Sequence, residues 1–266
     1  MITETFRKEY DPARDHAWHL SCWLAPNLQA WCVHERSSGR LMALASGTGD
    51  ELPARPMVPE RPASVSFTAM PEVGALVPES TLEPGSEMHY LKLVHGSVPT
   101  GLLRDEPIGM IGAQCIYLHD EAAERNLLQR FPNARPLPLQ GTLVHHALTH
   151  GPAGAVAVLH RSSTRLDIAI ADKGKLLLSN TFHATVAEDV LYYTLFCLEQ
   201  CGLSADKAAI RAGGTHLTAG EEHLLSLYAA KGPIPSTGAG YAALEGLELA
   251  NAHHWTALIE QFTCAS

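Results

Sequence analysis

The sequence predicts an α/β fold in which a β-rich unit occurs twice. Strand-like and helix-like segments alternate in both halves of the 266 residues, as expected for mixed layered domains. Two runs of three short strands have similar spacing. When residues 28–33 are aligned with residues 166–171, the following turn at residues 39–41 comes within three residues of the turn at residues 174–176. This self-similarity suggests an internal duplication.

The composition excludes several classes of protein. Hydrophobic residues make up 46% of the chain and charged residues 18%, so a large core is available and disorder is not expected. The 28 acidic and 19 basic residues leave a net charge of −9, which disfavours nucleic acids and anionic membranes as partners. No continuous apolar stretch is long enough to span a membrane.

The chain is expected to be cytoplasmic. Its first residues mix charges of both signs and contain no apolar segment typical of a signal peptide. Six cysteines occur without any Cys-x-x-Cys pair, and in a reducing compartment they are expected to be free thiols. They are residues 22, 32, 115, 197, 201 and 264.

In the first half, residues 1–15 are polar and are expected to form a flexible arm. Strands are then predicted over residues 20–24, 28–33, 41–45 and 113–118. A turn through Ala25, Pro26 and Asn27 joins the first two strands, and residues 47–62, with four prolines, are expected to form a loop. Residues 134–139 are expected to be extended, and helices are predicted over residues 120–131 and 142–150.

In the second half, strands are predicted over residues 155–159, 165–171, 176–178 and 208–212. Strict alternation places Leu166, Ile168 and Ile170 on one face of the second of these strands. Two capping boxes, Thr185 with Glu188 and Thr218 with Glu221, predict the starts of helices that reach residues 201 and 230. The amphipathic tail, residues 255–262, either docks onto its own chain or binds a partner.

Three segments carry a resemblance to a known family. They are residues 127–135 (LLQRFPNAR), residues 165–182, and residues 188–203 (EDVLYYTLFCLEQCGL). Shorter matches lie at residues 75–79, 90–93 and 253–255. Together they resemble an uncharacterised bacterial family, domain of unknown function 3822 (DUF3822).

The resemblance implies an actin/hexokinase-type ATPase fold, a duplicated RNase H-like architecture with two lobes around a cleft. The expected lobes are residues 16–152 and residues 153–266, the second ending in a C-terminal helix. The family has no established activity, so the resemblance implies a fold and no reaction.

Active proteins of that broad fold hold nucleotide phosphates with two hairpin turns and a carboxylate that binds Mg²⁺. The first hairpin here, residues 23–28, has no acid and no glycine, and Pro26 removes one N–H donor. The second hairpin contains Ser162, Ser163 and Thr164 between two arginines, again without glycine or carboxylate. Asp167, in the next strand, is expected to face solvent or a helix rather than a metal.

Gly213 and Gly214 follow a predicted strand, where the fold places its adenosine element. The alternative interpretation is a turn that needs positive φ before the next helix. The candidate nucleotide-binding residues are therefore Gly213, Gly214, Ser162, Ser163 and Thr164, with ATP as the possible ligand. No catalytic residue and no metal ligand is expected.

Other constellations favour simple packing roles. His146 and His150 share a helix face and raise a zinc hypothesis, but no third ligand follows at suitable spacing; His145, His253 and His254 are interpreted as ordinary polar residues. Cys197 and Cys201 lie on an apolar helix and are expected in the core. Cys22 and Cys32 lie on neighbouring strands, where their side chains could face each other. A Ser162–Thr164 nucleophile with His160 as base is not favoured, because alternation directs His160 away from Ser163.

Two functional hypotheses follow. The first is a non-catalytic actin-like protein with a degenerate nucleotide site, acting through contact with an unidentified protein partner. The second is an ATP-dependent enzyme, an ATPase or a kinase, that grips phosphate with Ser162, Ser163, Thr164 and Arg165. A third, metal binding by His146 and His150, has less support.

Overall fold

The computed structural model describes residues 3–48, 55–229, 234–235, 247, 249 and 251–265. The chain forms two compact units. The first comprises Met1–Leu139, Ala239–Ala250 and Leu258–Ser266, and the second comprises Gln140–Gly238 and Asn251–Ala257. The expected lobe boundary at residue 152 lies after this division.

The first unit contains a six-stranded sheet. Its first four strands are β1 (Thr3–Phe6), β2 (Trp18–Ala25), β3 (Leu28–Glu35) and β4 (Leu41–Gly47). The strand β5 (Ser64–Ala69) pairs in parallel with β2, and the short β9 (Arg135–Pro136) pairs in parallel with β5. The order across the sheet is β1-β4-β3-β2-β5-β9.

Both faces of this sheet are covered, which explains why β2, β3 and β4 are almost entirely buried. One face carries Trp18, Trp31 and Phe67 and packs against Leu127 of helix α2 (Glu121–Arg130). The other face meets the C-terminal helix α6 (Thr256–Ala265), whose residues from Leu258 onward belong to this unit.

A smaller sheet completes the first unit. It consists of β6 (Val73–Pro78), β7 (Leu102–Ile108) and β8 (Ala113–His119), in the order β6-β8-β7. Helix α1 (Glu87–His95) covers it, and the fully buried Leu91 of this helix joins a core cluster with Ile116. No element was predicted between residues 63 and 112.

The second unit begins with helix α3 (Leu139–His150) and a five-stranded sheet. The strands are β10 (Val156–Ser162), β11 (Arg165–Asp172), β12 (Lys175–His183), β13 (Ala209–Gly213) and β14 (Ile234–Pro235), in the order β12-β11-β10-β13-β14. Helices α4 (Ala187–Gln200) and α5 (Ala219–Ser226) complete the unit. The alternating Leu166 and Ile168 face a core shared with Val190 and Leu198 of α4.

The internal duplication is confirmed by strand register. The series β2-β3-β4-β5 and β10-β11-β12-β13 have the same order and the same directions. A bulge interrupts the pairing of the second and third strands at the same point of each series: Met42 is the extra residue on β4, and Leu177 is the extra residue on β12.

Several local expectations need correction. Residues 3–6 form β1 instead of a flexible arm, because their backbone pairs with the outer edge of β4. The expected loop over residues 47–62 includes the end of β4 at Gly47 and a short 3₁₀ turn, Arg55–Met57. The strand β10 runs to Ser162, so the expected turn from His160 is shorter.

The helix starts also differ from expectation at one of two sites. The Thr185–Glu188 box is wrong: helix α4 begins at Ala187, and Asp189 accepts the backbone N–H groups of Thr185 and Val186 at 2.7 and 3.1 Å. The Thr218–Glu221 box is confirmed, but α5 ends at Ser226, and residue 230 lies outside the described residues.

Candidate functional site

The predicted nucleotide-binding residues of the second unit lie together at the end of two parallel strands. The strands β10 and β13 are neighbours, with His160 opposite Gly213, so the Ser162–Thr164 turn and the Gly213–Gly214 turn leave the sheet at the same edge. Ligands of open α/β sheets bind beyond the carboxyl ends of parallel strands. This edge is therefore the candidate site.

Gly214 is required by the packing of this edge. Its φ is +112°, and a Cβ atom there would lie 2.9 Å from the carbonyl carbon of Arg161 and still closer to that residue's backbone nitrogen and oxygen. The N–H of Gly214 donates to the carbonyl of His253 at 3.3 Å, and the N–H of His216 donates to the carbonyl of Arg161 at 3.1 Å. These contacts suffice to explain the glycine as a turn residue, and adenosine binding stays a prediction.

The Arg161 guanidinium is buried in an internal ion pair. Its Nε donates to Glu221 at 2.8 Å, and its Nη1 donates to the carbonyl of Ser163. The second oxygen of Glu221 accepts the N–H and the hydroxyl of Thr218 at 2.8 and 3.1 Å. The same carboxylate therefore caps α5 and neutralises Arg161.

The second arginine of the hairpin is also engaged. Arg165 donates from Nε to both oxygens of Asp167, at 2.9 and 2.8 Å, and from Nη2 at 2.6 Å. The hydroxyl of Thr181 donates to the same carboxylate at 2.6 Å. Asp167 is only 2% exposed, so of the two environments expected for it, solvent or a helix, the structure excludes solvent. Its charge is matched inside the sheet.

Three hydroxyl groups remain at the hairpin. Ser163, with φ +44°, and Thr164 are exposed, whereas the Ser162 Oγ atom is buried and has no hydrogen-bond partner among the described residues. The neighbouring His160 is 2% exposed, and burial lowers its pKa to about 4. This edge therefore holds a neutral, buried imidazole and a buried hydroxyl without a partner among the described residues, beside the two exposed hydroxyls.

The first hairpin offers little to a phosphate or a cation. Its turn consists of Pro26 and Asn27, both exposed. The one carboxylate in residues 18–35 is Glu35, at the opposite end of β3, where it accepts a hydrogen bond from Ser38 at 2.6 Å. No acidic side chain of these two strands stands at the turn.

The histidine and cysteine hypotheses also have structural outcomes. No group of three or more His, Cys, Asp or Glu residues in the described part of the chain is placed to hold a metal ion. The rings of His146 and His150 lie 4.8 Å apart on α3, and burial lowers the pKa of His146 to about 3. Cys22 lies opposite Trp31 and Cys32 opposite Ser21, so the two thiols project from opposite faces of the sheet and do not meet.

A buried polar cluster in the first unit escaped sequence reasoning. Gln261 of α6 accepts from Ser66 at 3.0 Å and donates to Thr68 at 3.1 Å and to the carbonyl of Cys22 at 3.0 Å. His19 contacts Ser66 at 3.0 Å, and burial lowers its pKa to about 4. This cluster fixes α6 on the sheet, which supports docking of the tail onto its own chain. No helix among the described residues is long and apolar enough to cross a membrane.

Comparison with known proteins places this geometry in a family. A family model described as "Protein of unknown function (DUF3822)" matches residues 66–229. No curated protein matches the chain. A crystal structure from Bacteroides thetaiotaomicron, of a protein with actin-like ATPase fold and unknown function, aligns with a TM-score of 0.71. It is 16% identical, and the alignment covers 88% of this chain and 97% of that one.

Two further structures are similar at lower scores. A PilM-PilN type IV pilus biogenesis complex aligns with a TM-score of 0.48 and 13% identity, over 92% of this chain and 98% of the other. The ethanolamine utilization protein EutJ from Carboxydothermus hydrogenoformans aligns with a TM-score of 0.45 and 9% identity, over 91% and 89%. Neither score is high enough to carry an argument. On the family match and the first structural alignment, the chain belongs to the DUF3822 family and has the actin-like ATPase fold.

Proposed function

We propose that this protein carries a degenerate nucleotide site and acts in the cytoplasm through protein contact, without hydrolysing ATP. The observation that carries the proposal is the internal neutralisation of both hairpin arginines. Arg161 is paired with Glu221, and Arg165 with Asp167. A phosphate at this hairpin would meet guanidinium groups that already have carboxylate partners.

Binding a phosphate at this hairpin would cost free energy mainly at the two carboxylates. Glu221 is 3% exposed and Asp167 is 2% exposed. Turning either arginine toward a phosphate would leave a buried carboxylate without its cation, and breaking a buried pair in this way costs about 3–5 kcal/mol. That cost would be subtracted from any affinity for the phosphate.

The absence of an acid at the first hairpin adds to this argument. Mg²⁺ takes oxygen ligands and is normally held by one or two carboxylates together with the nucleotide phosphates. Residues 23–28 contain no carboxylate, and Pro26 has no N–H to donate. A Mg-nucleotide would lack an anchor from this turn.

Exposed aromatic groups support a role in protein contact. Tyr192 and Phe196 of α4 are 60% and 40% exposed, and their stacked rings have centroids 5.9 Å apart. Aromatic side chains are enriched at protein interfaces, where exposed apolar patches become buried. The six free cysteines are consistent with a reducing compartment, as in the cytoplasm.

A second candidate function, an ATP-dependent enzyme, is favoured by one observation. The Ser162 hydroxyl, at the end of β10, is without a partner among the described residues. The residue before it, Arg161, packs with its backbone against Gly214. A hydroxyl close to a glycine turn is a group that a phosphate-binding site could use.

Phosphate release from Mg-ATP by the full chain distinguishes the two functions. We expect the rate to equal that of buffer alone, and Ser162→Ala to leave both this rate and the melting temperature unchanged. Steady turnover that Ser162→Ala abolishes, while the variant stays folded, would contradict the proposal and establish the enzyme.

A further inference from the structure

We propose that the outer edge of β12 binds an extended strand of a partner protein. The strand would pair antiparallel with residues 178–181 and carry an aromatic residue followed, three residues later, by an acid. This inference rests on the proposed function, because it names the surface through which protein contact occurs.

The edge of β12 is long and accessible. The strand has nine residues, and among the described residues it pairs with β11 on one side and with no strand on the other. Leu177 is 44% exposed, and Asn180 and His183 are also exposed. An unpaired edge presents a row of backbone N–H and C=O groups that an incoming strand can satisfy.

The chain itself shows what occupies the equivalent edge in the first unit. Ala43 of β4 is equivalent to Leu178 of β12. Each is paired with the residue of the neighbouring strand that comes just before the register shift, Val33 on β3 and Ile170 on β11. In the first unit, β1 pairs antiparallel with β4 at this place, with Phe6 opposite Ala43. The duplicated edge in the second unit has the same geometry without such a strand among the described residues.

This alignment sets the register of the proposed strand. The pairs of β1 run from Phe6 opposite Ala43 to Thr3 opposite Ser46. Transferred to β12, the partner residue equivalent to Phe6 lies opposite Leu178, and the residue equivalent to Thr3 lies opposite Thr181.

A positive charge at the start of β12 favours an acidic residue in the partner strand. Arg40, the residue before β4, forms an ion pair with Glu9 at 3.1 Å, and Glu9 follows Phe6 by three residues. Leu41 and Leu176 are equivalent, because each is paired with the residue of the neighbouring strand that comes just after the register shift. Lys175, the residue before Leu176, is therefore the equivalent of Arg40. Lys175 is exposed and forms no ion pair with any described residue, so it is available to an incoming carboxylate.

An aromatic surface adjoins the same edge. Phe182 of β12 stacks on Tyr193 at 4.4 Å, Tyr193 contacts Tyr192 at 5.3 Å, and Tyr192 stacks on Phe196 at 5.9 Å. Leu178 and Phe182 face the core that includes α4, so partner residues opposite them lie on this side of the sheet. In the first unit the corresponding Phe6 contacts two aromatic rings, at 6.0 and 6.1 Å.

The probe for this surface is a synthetic peptide with the sequence ITETFRKEY, residues 2–10, which contains both the aromatic residue and the acid. Fluorescence anisotropy with the full chain should show saturable binding. Replacing Tyr192 and Phe196 together by serine should weaken it about tenfold or more, since two aromatic contacts are lost. Lys175→Gln, or glutamine at the peptide's acid, should weaken it about two- to fivefold.

A matched control removes exposed apolar groups elsewhere in the same unit. Leu227 and Tyr228, at the end of α5, are 63% and 54% exposed, and their double replacement by serine should leave peptide affinity unchanged. Unchanged melting temperatures show that the variants are folded. Binding that is absent, or equal in the α4 variant and the wild type, would overturn the proposal.

The register is tested by cross-linking. The test uses a peptide whose cysteine replaces Glu4, the residue opposite position 180 in the transferred register, and is activated as a mixed disulfide with thionitrobenzoate. The thiolate of an Asn180→Cys chain should attack the peptide sulfur, form the protein–peptide disulfide and release thionitrobenzoate. A cysteine in place of Thr5 points to the other face and should react more slowly, with the wild-type chain as background. Equal rates for the two peptides would contradict the register.

The outcomes separate this inference from the proposed function. Peptide binding fails and ATP is not hydrolysed if the edge inference alone is wrong. ATP turnover contradicts the proposed function, whatever the peptide does. The full chain could also self-associate, and Lys175→Gln and the α4 double variant could both abolish this association. In that case the edge binds a second copy of the chain, and the proposal of a separate partner protein is wrong.

Discussion

Replacing Gly214 by alanine tests whether the glycine turn is a packing requirement. The residue has φ +112°, and alanine in such a conformation costs about 1–3 kcal/mol. In addition, the new Cβ would overlap the backbone of Arg161, on the central strand β10, and the overlap adds about 1–3 kcal/mol. Gly154 provides the matched control: its φ is +138°, and a Cβ there would meet nothing within 4 Å.

The assay is thermal unfolding of the two variants and the wild type, followed by circular dichroism. The backbone strain is common to both variants, so the difference between them reports the overlap with Arg161. At roughly 2–4 °C per kcal/mol, Gly214→Ala should melt about 2–12 °C below Gly154→Ala. Equal melting temperatures would refute the packing argument and leave ligand binding as the reason for the glycine.

Three further predictions concern buried polar groups. In urea unfolding, Glu221→Gln should lower the free energy of unfolding by about 3–5 kcal/mol, because the buried Arg161 guanidinium loses its counter-charge. The double variant Arg161→Met with Glu221→Leu should recover most of that loss, because it removes both charges. Burial lowers the pKa of His34 to about 3, so the unfolded state binds the proton first as the pH falls. Between pH 6.5 and 3 this residue alone should lower the free energy of unfolding by about 1.4 kcal/mol per pH unit, and His34→Phe should reduce the measured slope by that amount. Gln261→Leu should cost about 1–3 kcal/mol in the same urea assay, because Ser66 and its neighbours lose their partner, and an unchanged midpoint would contradict the anchoring of α6.

The parts of the fold that depend on local chemistry could be predicted from the sequence. The strand β11 follows from strict alternation of Leu166, Ile168 and Ile170, and α5 from the reciprocal hydrogen bonds of Thr218 and Glu221. The duplication was visible because the two meanders have nearly the same spacing, including the glycine turns at Gly39 and Gly174, both with positive φ.

Elements that depend on distant partners could not be predicted. The strand β7 has the sequence LLRDEPI, which has no apolar alternation, and its extended state comes from pairing with β8. The strand β1 contains one large apolar residue and is extended because β4 accepts it. At the candidate site, Glu221 was predicted as a helix cap, but its ion pair with Arg161 joins residues 60 positions apart, a separation that no local pattern reports.

Thermal unfolding with millimolar ATP, with and without Mg²⁺, tests the degenerate site most directly. If both hairpin arginines are internally neutralised, the melting temperature should be the same in buffer, with ATP and with Mg-ATP. A ligand at 100 times its dissociation constant stabilises a protein by about 2.7 kcal/mol. A rise of about 5–10 °C that requires Mg²⁺ would therefore contradict the account.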